Sequence, residues 1–262
     1  MWNQKTGVVV VVMIAAVALG GCVGGGDDGG STPEPTFEAY DGDRTADEIA
    51  AAALNRSANA TAYRVEMTAE IDLSLGSVET RTNGTIDRER RRARLNTTVD
   101  SGFTESRTVQ TFHDNGPVYV RESAETGWQR RDARPGTGNQ DSLSGVDSLG
   151  QQRRLLTPGN LSIVGTTTLD GEETYVLRTD PGAGVLAGTL TGQDAVPTDG
   201  LTVENATATL YVSTATDHLR QVTLRADATA GDQDVSIRST TRFFDYGIDP
   251  MLEPPTVGNG TN

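Results

Sequence analysis

Tyr63, Val65, Met67, Ala69, Ile71, Leu73 and Leu75 alternate with Arg64, Glu66, Thr68, Glu70, Asp72 and Ser74. A period of two held over this length predicts a strand across 61–75, one face buried and the other wet, as in an antiparallel sheet. Ahead of it, Thr45-Ala46-Asp47-Glu48 fits a capping box, with Thr45 as N-cap and Glu48 reaching back. The helix it opens is expected to run to Ala58, with Ile49, Ala53 and Leu54 on a narrow apolar side.

Behind the long strand, Thr- and Arg-rich strands are expected at 78–87, 90–99 and 103–113. Asp114-Asn115-Gly116 reads as a hairpin turn into 118–122, and Gly127 precedes a short strand at 128–131. A polar, Gly-rich loop at 134–145 leads to a helix at 149–156, which Thr157-Pro158-Gly159 ends. The second half follows the same logic. Strands at 161–169 and 173–179 flank Asp170-Gly171, a type I′ hairpin signal. The Gly/Ala/Leu-rich stretch 181–200 is a short helix or a flap, and strands at 202–214, 219–228 and 235–244 complete a meander. About ten or eleven antiparallel strands, each with one apolar face, must curl around something to bury it.

The ends of the chain are different. An apolar run at 7–19 follows a head with one charge, Lys5, and precedes Leu19-Gly20-Gly21-Cys22. This is a secretory signal pattern, and the run is shorter than the ~20 residues of a spanning helix. Cys directly after Leu-Gly-Gly resembles a lipoprotein signal, in which the thiol takes a lipid and becomes the new N-terminus. Cys22 is the only cysteine, which excludes an internal disulfide and favours modification over a free thiol. The layout expected is a lipoprotein signal at 1–21, a disordered tether at 22–44, a β domain at 45–250 and a disordered tail at 251–262.

Charge sharpens the setting. The chain has 36 acidic and 22 basic residues, net −14, and Lys5 is its only lysine. Such an acidic, lysine-poor composition resembles proteins of extreme halophiles, where a Debye length of ~3 Å in molar salt lets like charges sit close. The sign of the net field argues against a nucleic-acid partner. Asn55, Asn59, Asn83, Asn96, Asn160, Asn205 and Asn259 each head an Asn-x-Ser/Thr triplet, the acceptor pattern for N-glycosylation.

The order of elements resembles the LolA/LppX-like superfamily, exported lipid carriers and lipoproteins, and the whole resembles haloarchaeal-type lipoproteins. The resemblance rests on the strand at 61–75 and on Leu169-Asp170-Gly171-Glu172-Glu173-Thr174-Tyr175-Val176-Leu177 with Pro181. Ala208-Thr209-Leu210-Tyr211-Val212 followed by Leu219-Arg220-Gln221-Val222, and Phe243-Phe244-Asp245-Tyr246-Gly247 with Pro250, complete it. It implies a mainly β (α+β) fold: an open, strongly curved antiparallel half-barrel with an N-terminal helix and helical inserts over an apolar cavity. A lipid or isoprenoid ligand follows from the same likeness. The inward residues that would line the cavity are Tyr63, Val65, Met67, Ile71, Leu73, Val222, Leu224, Val235 and Ile237. Cavity lining and filled core are both open on this pattern. A ligand-free structural or protein-interaction module of the cell envelope is the alternative function.

Candidate chemistry is sparse. His113 and His218 each neighbour an Asp in an expected turn or strand end, a common turn composition. No nucleophile elbow, zinc-protease helix, phosphate-cradling loop or calcium loop is present, so neither an enzyme, a cofactor nor a metal is expected. Arg88, Arg90, Arg91, Arg92 and Arg94 stand out in so acidic a chain. On a strand, Arg88, Arg90, Arg92 and Arg94 would share a face, either paired with cross-strand carboxylates such as Glu66, Glu70 and Asp72 or seating an anionic lipid headgroup at Arg90 and Arg92. The expected place is the outer face of the cell membrane, held by lipid on Cys22, with any protein partner unidentified.

Overall fold

The computed structural model describes residues 37–74, 76–102, 104–123, 125–131, 143–157, 160–182, 201–230 and 233–257. The expected signal, Cys22, most of the tether, the 183–200 part of the flap and Asn259 lie outside the described residues. Among those described, one helix, α1 (Ala46–Asn59), precedes a chain of strands. These are β1 (Ala62–Leu73), β2 (Gly76–Asp87), β3 (Arg92–Ser101), β4 (Thr104–Asp114), β5 (Val118–Arg121) and β6 (Gln129–Arg131). A short helix, α2 (Ser148–Gln152), runs into a 3-10 turn (Arg153–Leu156). Then come β7 (Ser162–Leu169), β8 (Glu172–Thr179), β9 (Leu201–Ser213), β10 (Leu219–Ala230) and β11 (Gln233–Phe244).

All eleven strands form one open antiparallel sheet in the order β6-β5-β4-β3-β2-β1-β11-β10-β9-β8-β7. The first and last strands pair at the centre, from Arg64 opposite Phe244 to Leu73 opposite Val235. Two wings spread from that seam: β2–β6 from the first half of the chain, and β10–β7 from the second. Within each wing every strand pairs with its neighbours in sequence, and among the named strands the β1–β11 seam joins the two ends of the sheet's sequence.

Local signals explain the elements. Glu48 N–H donates to Thr45 Oγ1 (3.3 Å) and the Glu48 carboxylate accepts from Thr45 N–H (2.8 Å), closing the capping box and lowering the Glu48 pKa. Asp170 and Gly171 take φ of 52° and 82°, the pair of positive values a type I′ turn needs. The core gathers on the concave face, where Ile49, Ala50 and Ala53 of α1 and Leu149, Leu155 and Leu156 of the insert pack on the sheet.

Two expected boundaries move. The tether was placed at 22–44, but Glu38 makes an antiparallel bridge to Thr166 on edge strand β7, with both backbone bonds at 2.9 Å. Gly165 makes the approach possible, because a Cβ there would sit 2.2 Å from the Glu38 carbonyl oxygen. Tyr40 then packs edge-on against Tyr175 at 5.5 Å, and Arg44 pairs with Asp217 at 2.7 Å. The tail was placed from 251, but Arg92 donates to the Leu252 carbonyl (2.9 Å) and Arg94 to that of Glu253 (3.2 Å), laying a strap along β3. In both places a polar, Pro- or Gly-rich segment is held through its backbone carbonyls, which composition does not report.

Candidate functional site

β1 carries the concave face, and its inward side chains fall into two groups. Tyr63 and Val65 are buried, as are Val222 and Leu224 on β10 and Val235 and Ile237 on β11. All six belong to one hydrophobic cluster with residues of α1 and the insert, Ile237 and Val235 lying opposite Ile71 and Leu73. They are core, not cavity lining. Each fully buried side chain of this kind contributes about 1.5–3 kcal/mol. Met67, Ile71 and Leu73, further along the same face, are only half-buried. Thr82 and Val78, opposite Met67 and Ile71 on β2, Thr80 between them, and Thr97 and Val99 on β3 are half-buried too. The predicted lining set therefore splits, and only Met67, Ile71 and Leu73 lie on an accessible floor.

A buried polar node holds the closed part together. Tyr63 O–H donates to Asp147 Oδ1 (2.7 Å), and Arg88 Nη2 donates to the same oxygen (2.7 Å). Leu149 N–H donates to the Tyr63 hydroxyl (3.1 Å), and Gly150 N–H to Asp147 Oδ1 (3.0 Å), so Asp147 caps α2. The other Arg88 nitrogen donates to the Ser57 carbonyl at the end of α1, and the guanidinium lies 5.5 Å from the Tyr63 ring centre. Burial, followed by the Asp147 charge, pushes the Tyr63 pKa well up, keeping it a neutral donor. One carboxylate thus ties α1, β1, the β2–β3 turn and the insert. Sequence reasoning missed this node; an Asp just ahead of the expected helix at 149–156 was the signal available for its cap.

The arginine run does not share a face. Arg91 takes φ 54° in the β2–β3 turn, which shifts the alternation and starts β3 at Arg92. Arg88 turns inward, as described. Arg90 reaches Asp87 (3.0 Å) and Asp249 (2.8 Å), and Arg92 reaches Asp114 (2.7 Å). Glu70 and Asp72, the expected partners, pair instead with Arg238 at 3.9 and 2.9 Å. Arg90 and Arg92 are thus engaged with carboxylates and the C-terminal strap, with the Arg90 side chain still 47% exposed.

His218 stacks flat on Tyr246, with centroids 4.2 Å apart, and burial followed by the Arg56 and Arg220 charges lowers its pKa. His113 is buried at the end of β4. Asn55, Asn59, Asn83, Asn160 and Asn205 are exposed, whereas Asn96, directly opposite Asn83, is half-buried. A cleft of about 250 Å³ is lined by Thr61, Asp87, Glu89, Arg90 and Asp249, and one of about 240 Å³ by Thr45, Ala46, Asp47 and Leu161. Neither is the apolar cavity that the resemblance implies. Among the described residues no cluster of three or more His, Cys, Asp or Glu is placed to hold a metal ion, and no helix is long and apolar enough to cross a membrane.

The architecture defines the class: an open half-barrel of antiparallel strands with helices on its concave side. The chain belongs to the family described as "Family of unknown function (DUF7537)", whose model matches residues 6–255. Among solved structures it is similar to LprF from Mycobacterium bovis, with 14% identity and a TM-score of 0.51, covering 81% of this chain and 97% of that one. It is also similar to the lipoprotein LppX of Mycobacterium tuberculosis, at 15% identity and TM-score 0.49, covering 81% and 98%. The LprF likeness bears out the LolA/LppX-like fold expected from the strand order. Among curated proteins, none matches the chain.

Proposed function

We propose that the protein is a lipid-anchored, extracytoplasmic binding protein that holds an apolar ligand, a lipid or isoprenoid, against the open part of its concave face. The observation that carries this reading is the half-buried row Met67, Ile71 and Leu73, which continues a filled core without being filled itself. The Leu19-Gly20-Gly21-Cys22 pattern supports the anchor, and the exposed acceptors Asn55, Asn59, Asn83, Asn160 and Asn205 support glycosylation in an exported, halophilic setting. On this reading the protein is not an enzyme. Its two histidines are taken up in packing, His218 by its stack on Tyr246 and His113 in the sheet.

Two measurements test it. Cys22→Ser is expected to release the protein from the membrane fraction; retention there would remove the anchor. Solvent extraction of the full-length protein from a halophilic host, with mass spectrometry of the extract, is expected to yield a stoichiometric apolar compound. A protein that yields none and takes up no apolar dye is the ligand-free interaction module instead.

A further inference from the structure

The open floor leads across the first wing toward β4. Ala69, Thr80, Val99 and Arg107 stand side by side on β1, β2, β3 and β4, so all four face the concave side. At ~4.8 Å per strand, Arg107 begins ~14 Å from the seam strand. It ends a row of small and apolar side chains with a guanidinium. Arg107 Nη2 lies 2.7 Å from Glu122 Oε2, and Arg131 Nη2 lies 3.3 Å from Glu122 Oε1. Arg131 sits opposite Val118, in the row that continues to His113 and Ala93, which places it on the same face.

One carboxylate therefore stands between two guanidinium groups on a chain of net charge −14. Two other clusters reverse the ratio, with Arg90 between Asp87 and Asp249 and Arg238 between Glu70 and Asp72, while Arg44–Asp217 and Arg220–Glu172 are one to one. The side chains of Arg107, Glu122 and Arg131 are 52%, 40% and 40% exposed, so their outward N–H groups are open to a ligand. Glu122 fixes the two forks without neutralising both.

We propose that Arg107 and Arg131 form the head end of the groove, and that its ligand is an amphiphile with an anionic head, carboxylate or phosphate. The chain of that ligand lies over Met67, Ile71, Val78 and Val99. This rests on the groove reading above and adds the ligand's charge to it. A guanidinium fork binds a carboxylate or phosphate through two parallel N–H bonds. Solvent exposure weakens the pair, so the expected gain is modest, about tenfold in affinity.

The test is displacement of an apolar fluorescent dye by hexadecanol, hexadecanoate and hexadecyl phosphate, which share one chain and differ in the head. The native protein is expected to bind the two anionic probes about tenfold more tightly than the alcohol. The Arg107→Gln/Arg131→Gln variant is expected to lose that preference and keep its affinity for hexadecanol, with thermal unfolding nearly unchanged because the pairs it removes are solvent-screened. Equal binding of all three probes by the native protein overturns the anionic head and leaves the groove standing. A preference that survives in the double variant overturns the assignment to these arginines. Failure of every probe to displace the dye ends the groove reading, and this inference with it.

Discussion

Val65 and Ile71 lie on one strand and one face, and they meet different fates. Val65 is buried in the core, whereas Ile71, nearer the other end of β1, is only half-buried and packs on the edge of that core. The contrast belongs to β1 and the first wing, since Ile237 and Val235, opposite Ile71 and Leu73 on β11, are buried. Tyr63 touches Phe243, with rings 5.9 Å apart, and joins the polar node that pins the insert. Met67 has Thr82 and Thr241 beside it in place of aromatic rings. A half-barrel gains stability from the end that is plugged and keeps capacity at the end that is not.

The comparison breaks most visibly under truncation. Phe243→Ala is expected to destabilise the protein by about 3–5 kcal/mol, because it empties the plugged end, and Ile71→Ala by only about 1 kcal/mol. Urea unfolding measures both; equal losses would mean the two ends are packed alike. Next in size is the latch. Arg88→Met leaves Asp147 with the Tyr63 hydroxyl and the Gly150 N–H alone, and is expected to remove about 2–3 kcal/mol. The exposed Arg90→Ser, by contrast, is expected to leave the urea midpoint nearly unchanged.

A smaller effect belongs to the N-terminal strap. Gly165→Ala places a methyl against the Glu38 carbonyl, and is expected to lower stability by about 1–2 kcal/mol. Hydrogen exchange should speed at the Glu38 and Thr166 amides and stay unchanged in β1; protection that persists at both would contradict the bridge. The smallest effect is that of His218. Its folded pKa lies below the ordinary 6.5, so the folded state holds the ring neutral. That contribution is present above pH 6.5 and is lost as pH falls through the lowered value. His218→Phe keeps the ring on Tyr246 and is expected to flatten the fall in unfolding temperature below pH 6.5. An unchanged slope would assign it to other groups.

Local grammar carried most of the architecture. Thr45 and Glu48 form their capping box, Asp170-Gly171 makes its turn, and the alternation from Tyr63 to Leu73 names the buried face. Alternation gives the face but not what lies on it. Nothing in the spacing of Val65 and Ile71 says that a helix covers one and not the other, since the cover comes from α1 and from an insert far along the chain. The arginine run shows the same limit at closer range. Counting by twos through Arg91 assumes an extended chain, and its φ of 54° voids the count. The backbone carbonyls that accept from Arg92 and Arg94 lie about 160 residues away, in a strap that composition marks as disordered.

On the proposed function, one concave face is half filled and half open. Methyl-resolved NMR during titration with hexadecanol reads this most directly. The Met67 ε, Ile71 δ1 and Leu73 δ methyl signals are expected to shift together and saturate, while Val65, Val222 and Leu224 hold still. Shifts spread evenly over both sets would mean that the plugged end opens to ligand, and no shift at Met67, Ile71 and Leu73 would mean that the open floor is not a binding surface.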